Sequence, residues 1–172
     1  MTLTMQKTIT LPFIILSALS LLQACEKAAV IEIPTAQTLN REANGYYCLM
    51  TVVNHNGPKG QIILSDKQQA LWFTSVRDTI AFTLSPEEPK NISAIYVNDM
   101  SDADWDNPGA DNWINAHQAW YVLNSDRSGG MGAPEAVPFA TKNNAEQFAD
   151  KRGGTVYDFD SIPREYIVAS SE

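Results

Sequence analysis

Apolar and polar positions along this chain change their period several times, and each change marks an element. A mostly apolar run from Ile9 to Leu22 comes first, followed by a mixed stretch, "EKAAVIEIPTAQTLNREAN", with no sustained period. From Gly45 the pattern becomes strand-like: "YYCLMTVV" at 46–53 is aromatic and β-branched, and "NHNGPKG" supplies turn residues. "QIIL" at 61–64 predicts a second strand. Ser65 with Gln68 three residues on predicts a capping box. Phe73, Val76, Ile80 and Leu84 recur at spacings of 3, 4 and 4, the buried face of a helix that Pro86 and Pro89 stop. Ile92 to Val97 reads as a third strand.

The second half repeats that order. "QAWYVLNS" at 118–125 predicts a strand, "DRSGGMGAPE" a glycine-rich turn and "AVPFA" at 136–140 a short strand. Thr141 is an N-cap candidate for the helix "NNAEQFADKR", which Gly153 and Gly154 end. "TVYDFDSI" closes the series as a strand. The expected class is α+β, two β-β-α-β units with small, mostly antiparallel sheets. The expected boundaries are a leader at 1–24, a tether at 25–44, a first unit with an acidic loop at 45–114 and a second unit at 115–172.

The leader changes the compartment. Lys7 precedes the apolar run, which is short for a membrane span and ends in Leu22-Gln23-Ala24-Cys25. Leucine, a small residue and then cysteine resemble the bacterial lipoprotein signal, in which the cysteine is acylated and becomes the mature N-terminus. That makes Cys25 the expected lipid site and places the chain on the periplasmic side of a membrane. Glu26 follows Cys25 where inner-membrane retention would need Asp, so the outer membrane is the expected anchor. Two acyl chains plus an acylated amine give a stable attachment.

The formal net charge is −8, and loss of Lys7 makes the mature chain more acidic still. Nucleic acid is excluded as a partner, because phosphates demand basic patches. Cations and basic protein surfaces suit the chain better. There are two cysteines and two histidines. With Cys25 acylated, Cys48 is a lone thiol, so no disulfide scaffold is available.

Candidate chemistry gathers at two places. If 46–53 is a strand, Cys48 and Met50 share a face roughly 7 Å apart along it, with Leu49 toward the core. Thiolate and thioether are soft donors that favour Cu(I) over hard cations. On spacing alone, packing in the core is the commoner use of such a pair. The second place is "IYVNDMSDADWDNPGADNW", 95–113. Asp102, Asp104 and Asp106 alternate as in a calcium loop, but Asn107 and Trp113 stand where an EF-hand needs Gly and Glu. That loop is expected to dock a basic partner. Met100 at its start, and more weakly Met131 in the glycine-rich turn, are further sulfur candidates. Asp99 and His117 are alternative donors, and His55 is expected on an exposed turn.

"CLMTVVNHNGPKGQI", "SVRDTIAFTLSPEEPKNISAIYVNDM", "WDNP" and "DRSGGMGAPEAVPF" resemble the NosL family, the lipoprotein copper chaperones that serve nitrous oxide reductase. The resemblance spans about Gly45 to Tyr157. It implies a fold related to part of organomercurial lyase, and no enzymatic activity. It implies that Cys48, Met50 and Met100 hold Cu(I), with Asp99 or His117 as substitutes for the third. The implied partners are the copper ion, the assembly machinery of nitrous oxide reductase (a membrane transporter complex or the reductase itself) and the membrane. An under-coordinated Cu(I) also has room for a ligand from a second copy, which would give a copper-linked homodimer. The competing readings are a lipoprotein that binds no metal, with Cys48 buried, and a thiol enzyme using Cys48.

Overall fold

The computed structural model describes Thr2 and residues 32–168. Cys25 lies outside the described residues, as does the leader apart from Thr2. The body is α+β, with two small antiparallel sheets.

The first sheet is built on β1 (Gly60–Leu64), a central strand whose side chains are buried on both faces. β2 (Leu71–Phe73) pairs on one side and β3 (Ile92–Asn98) on the other, with β4 (Trp113–Asn115) outside β3. The register Gly60↔Phe73 and Gly60↔Val97 aligns the start of β1 with the ends of both neighbours. Between β2 and β3 runs α1 (Val76–Leu84), with Val76, Ile80 and Phe82 buried.

The second sheet has β5 (Trp120–Leu123) at its centre, flanked by β6 (Val137–Phe139) and β7 (Thr155–Asp158). α2 (Lys142–Arg152) lies between β6 and β7 in sequence. Thr141 Oγ1 accepts the Asn144 N–H at 3.2 Å, the cap expected there. A final short helix, α3 (Arg164–Val168), was not foreshadowed by any periodic signal. Each sheet is ordered second, first, third strand, and one apolar core joins them: Ile62, Phe73, Ile80 and Val97 pack with Tyr121, Leu123 and Ile167. Most of these side chains are fully buried, at roughly 1.5–3 kcal/mol each.

Three expectations need correction. Residues 46–53 form no strand: 46–48 are a turn, and Val52–Asn54 is a single 3-10 turn. The β-β-α-β order of the first half therefore starts at β1 and β2. Ser65 and Gln68 cap no helix, because the chain crosses β2 first and α1 is capped by Ser75. Phe73 thus belongs to a strand, not to the helical face. The tether is docked over its second half: Gln37 N–H donates to the Gln61 side chain at 2.8 Å and Leu39 N–H to the Ala110 carbonyl at 2.9 Å.

Candidate metal centre

Residues 44–51 form a narrow loop at the end of the first sheet. Asn44 bridges Thr51, and Gly45 bridges Trp72 on β2. Gly45 N–H donates to the Met50 carbonyl, and Leu49 N–H to the Gly45 carbonyl, both at 2.8 Å. Leu49 sits at φ 58, a backbone state that a leucine adopts at a cost of about 1 kcal/mol. That residue reverses the chain and explains why the strand pattern fails here. Tyr46 and Tyr47 anchor the loop, packing edge-on or tilted against Phe73 and Phe82 with ring centroids 5.3–5.8 Å apart. Tyr46 also donates its hydroxyl to Glu88 at 2.8 Å.

The loop turns Met50 outward and keeps Cys48 half-buried. Leu49 is 79% exposed, not core-facing, and Met50 is 42% exposed. Cys48 is free and half-buried, with Sγ 3.8 Å from Thr74 Oγ1. Gly45 makes this possible, because a Cβ there would stand 2.5 Å from Cys48 Sγ. The thiol lies in the space that a side chain at 45 would take.

A second loop meets the same end of the molecule. Residues 128–134 close on themselves through a Ser128–Pro134 bridge, Gly129 N–H to the Ala133 carbonyl and Gly132 N–H to the Gly129 carbonyl. His55 Nδ1 contacts the Gly130 carbonyl at 3.1 Å, so His55 is a strut under this loop and not a free surface imidazole. Gly129 packs over Ser75, the residue after Thr74. Met131 at the tip is 49% exposed. Cys48 thus rests on Thr74, while the loop that carries Met131 rests through Gly129 on Ser75, the next residue.

The remaining sequence candidates are placed elsewhere. Met100 is 7% exposed and packs with Val122, Val137, Phe139 and Ala145. Asp99 Oδ1 already accepts from Ser101 N–H, Ser101 Oγ and Ala140 N–H. His117 is exposed, with its ring tilted at 58° against Phe159 and centroids 4.2 Å apart. Asp102, Asp104 and Asp106 are exposed, and no cluster of three or more His, Cys, Asp or Glu suited to a metal exists among the described residues. The thioethers of the exposed Met50 and Met131 and the half-buried Cys48 thiol are soft donors.

Residues 36–167 match the NosL family. The chain belongs to that family. It is 46% identical over 161 residues to the copper-binding lipoprotein NosL of Achromobacter cycloclastes, covering 92% of this chain and 83% of the relative. It is 31% identical over 122 residues to the NosL lipoprotein of Stutzerimonas stutzeri, covering 71% of this chain and 63% of the relative. The crystal structure of the copper chaperone NosL from Shewanella denitrificans superposes with a TM-score of 0.71 at 34% identity, covering 76% of this chain and 96% of that one. As a NosL-family member the chain has the mixed helix–strand fold with two small antiparallel sheets that the strings of Gly45 to Tyr157 implied. In sequence terms Met131 carried only a weak signal, because a methionine in a glycine-rich turn has no period to mark it.

Proposed function

We propose that this chain is a Cu(I) metallochaperone, anchored by a lipid on Cys25 to the periplasmic face of the outer membrane, that delivers copper for assembly of the copper sites of nitrous oxide reductase. The observation that carries the reading is the 44–51 loop. Gly45 makes room for the Cys48 thiol, and the adjacent Met50 thioether is turned to solvent rather than buried. A core use of Met50 would bury it. The names of the NosL relatives support copper as the cargo.

Cys48 supplies the thiolate, Met50 a thioether and Met131 the third sulfur. Met100 is less suited than Met131, since reaching an ion would require opening the second apolar cluster. Cu(I) is content with two or three soft donors, so an incoming donor from a recipient can join before one of these leaves. Copper then passes by ligand exchange with no free ion. Binding displaces the thiol proton, so affinity falls at low pH.

A thiol enzyme is less well supported. Among the described residues the only hydrogen-bonding contact of the thiol is Thr74, and His55 is bonded to the Gly130 carbonyl. The deciding experiment is an anaerobic Cu(I) titration against a competing chelator, on the chain from residue 26 and on its Cys48→Ser variant. One tight equivalent, lost in the variant, is expected. Equal binding by both, or by neither, would return Cys48 to a packing role.

A further inference from the structure

Glu135 ends the Met131 loop, and it is 1% exposed. An interior carboxylate costs several kcal/mol unless its oxygens are matched to donors. Oε1 is well matched, accepting from Ser75 Oγ at 3.2 Å, Arg77 N–H at 3.0 Å and Ala136 N–H at 2.9 Å. Oε2 has no hydrogen-bond partner among the described residues and lies under Gly129, where a Cβ would come within 2.4 Å of it. The Glu135 carbonyl accepts the Tyr166 hydroxyl from α3 at 2.9 Å.

Two of those donors open α1. Ser75 is its N-cap, and Arg77 N–H is one of the first-turn groups that no helical carbonyl can reach. Glu135 therefore caps α1 from the other half of the chain, and a carboxylate is the favoured group at that end of the helix dipole. One residue before the cap, Thr74 touches the Cys48 sulfur. A single buried side chain thus ties the start of α1, and the cysteine loop resting on it, to the loop that carries Met131.

We infer that Glu135 is a positioning residue, a latch that holds the Met131 loop against the start of α1 so that Met131 and Cys48 face one copper ion. The inference rests on the donor set given above. Several charged groups surround the latch. Lys59 is buried nearby and donates to the Asn56 and Gly57 carbonyls; Asp78 on α1 repels the carboxylate. Arg77 and Tyr166 pack beside it, and Arg127 stacks over Trp105 at the root of the loop. His55 is the other ionisable group bonded to the loop. Burial pushes Glu135 up to about 7, despite its three donors, so the latch changes charge near neutrality.

The test is methyl NMR on the full-length chain in detergent, carbon-13 labelled at the methionine methyls, first without copper. The Met131 methyl should shift with pH through a midpoint near 7, while the Met100 methyl in its separate cluster stays level. The step should persist in His55→Gln and vanish in Glu135→Gln. Adding Cu(I) should move the Met50 and Met131 methyls, with affinity about tenfold weaker in Glu135→Gln. A Met131 methyl that ignores pH in the wild type, or that behaves alike in Glu135→Gln, overturns the latch, whatever copper does. A methyl that follows Glu135 while Cu(I) moves neither Met50 nor Met131 upholds the latch and sinks the copper reading instead. If Glu135→Gln does not fold, the wild-type and His55→Gln curves decide.

Discussion

At the scale of single residues, the proposed site depends on an absence, the missing side chain at Gly45. A methyl group there would stand 2.5 Å from Cys48 Sγ and 3.3 Å from the Thr74 methyl, inside contact distance for sulfur and carbon. Gly45→Ala should therefore rotate the thiol off Thr74 and away from the methionines. The expected outcome is weaker Cu(I) binding and faster reaction of Cys48 with a disulfide reagent, with a stability change of only about 1 kcal/mol. Unchanged binding and unchanged thiol kinetics would mean the loop has slack that the geometry does not show. Cys48 and Met50 were legible in the sequence as a candidate soft-donor pair, but the strand face expected to bring them together does not form. A left-handed leucine in a strand-like string leaves no trace in periodicity, so the outward turn at Leu49 could not be read. Met131 was visible only as an odd methionine among glycines, with no period to mark it.

The elements show the same division between local and non-local signals. In the second unit the cap and helix were read closely, since cap, helix and glycine stop are local at Thr141, 142–152 and Gly153. The strand expected from 155 to 162 stops at Asp158, however, and α3 was missed. In the first unit, the apolar spacing of Phe73, Val76 and Ile80 ran straight across a strand end into a helix, and β2 was absorbed into the helix. Pairing with β1 holds β2 apart as a strand, and the Ser75 cap marks where α1 begins. The caps differ in the same way. Thr141 Oγ1 serves one exposed N–H, whereas Ser75 is buried, caps Asp78 N–H at 3.4 Å and also donates to Glu135. Thr141→Ala should cost about 1 kcal/mol, the ordinary loss of an N-cap. Ser75→Ala should cost more, about 2 kcal/mol or above, because a buried carboxylate also loses a donor. Urea unfolding of both variants checks the order; equal losses would show that the Ser75–Glu135 contact contributes nothing.

On the scale of the whole molecule, two buried ionisable groups set how stability follows pH. Burial raises Glu135 from 4.5 to about 7 and lowers Lys59 from 10.5 to about 8, the carboxylate only partly offsetting the latter. Between pH 4.5 and 7 the folded chain keeps a proton that the unfolded chain has lost, so stability falls as pH rises, by up to roughly 3 kcal/mol from this group alone. Between pH 8 and 10.5 the unfolded chain holds the lysine proton that the folded chain has released, so stability climbs again. The stability curve should therefore have a shallow minimum between pH 7 and 8, unlike the usual neutral plateau. Self-repulsion in a chain of net charge −8 deepens the fall on the acid side of that minimum as carboxylates ionise. Thermal midpoints measured from pH 5 to 10 should trace this valley, and Glu135→Gln should flatten its acid side while leaving the rise above pH 8. A wild-type midpoint that climbs from pH 5 to 7 would show that Glu135 is ionised throughout. The carboxylate would then draw on stabilisation beyond its three donors, and Lys59 is the cation placed to supply it.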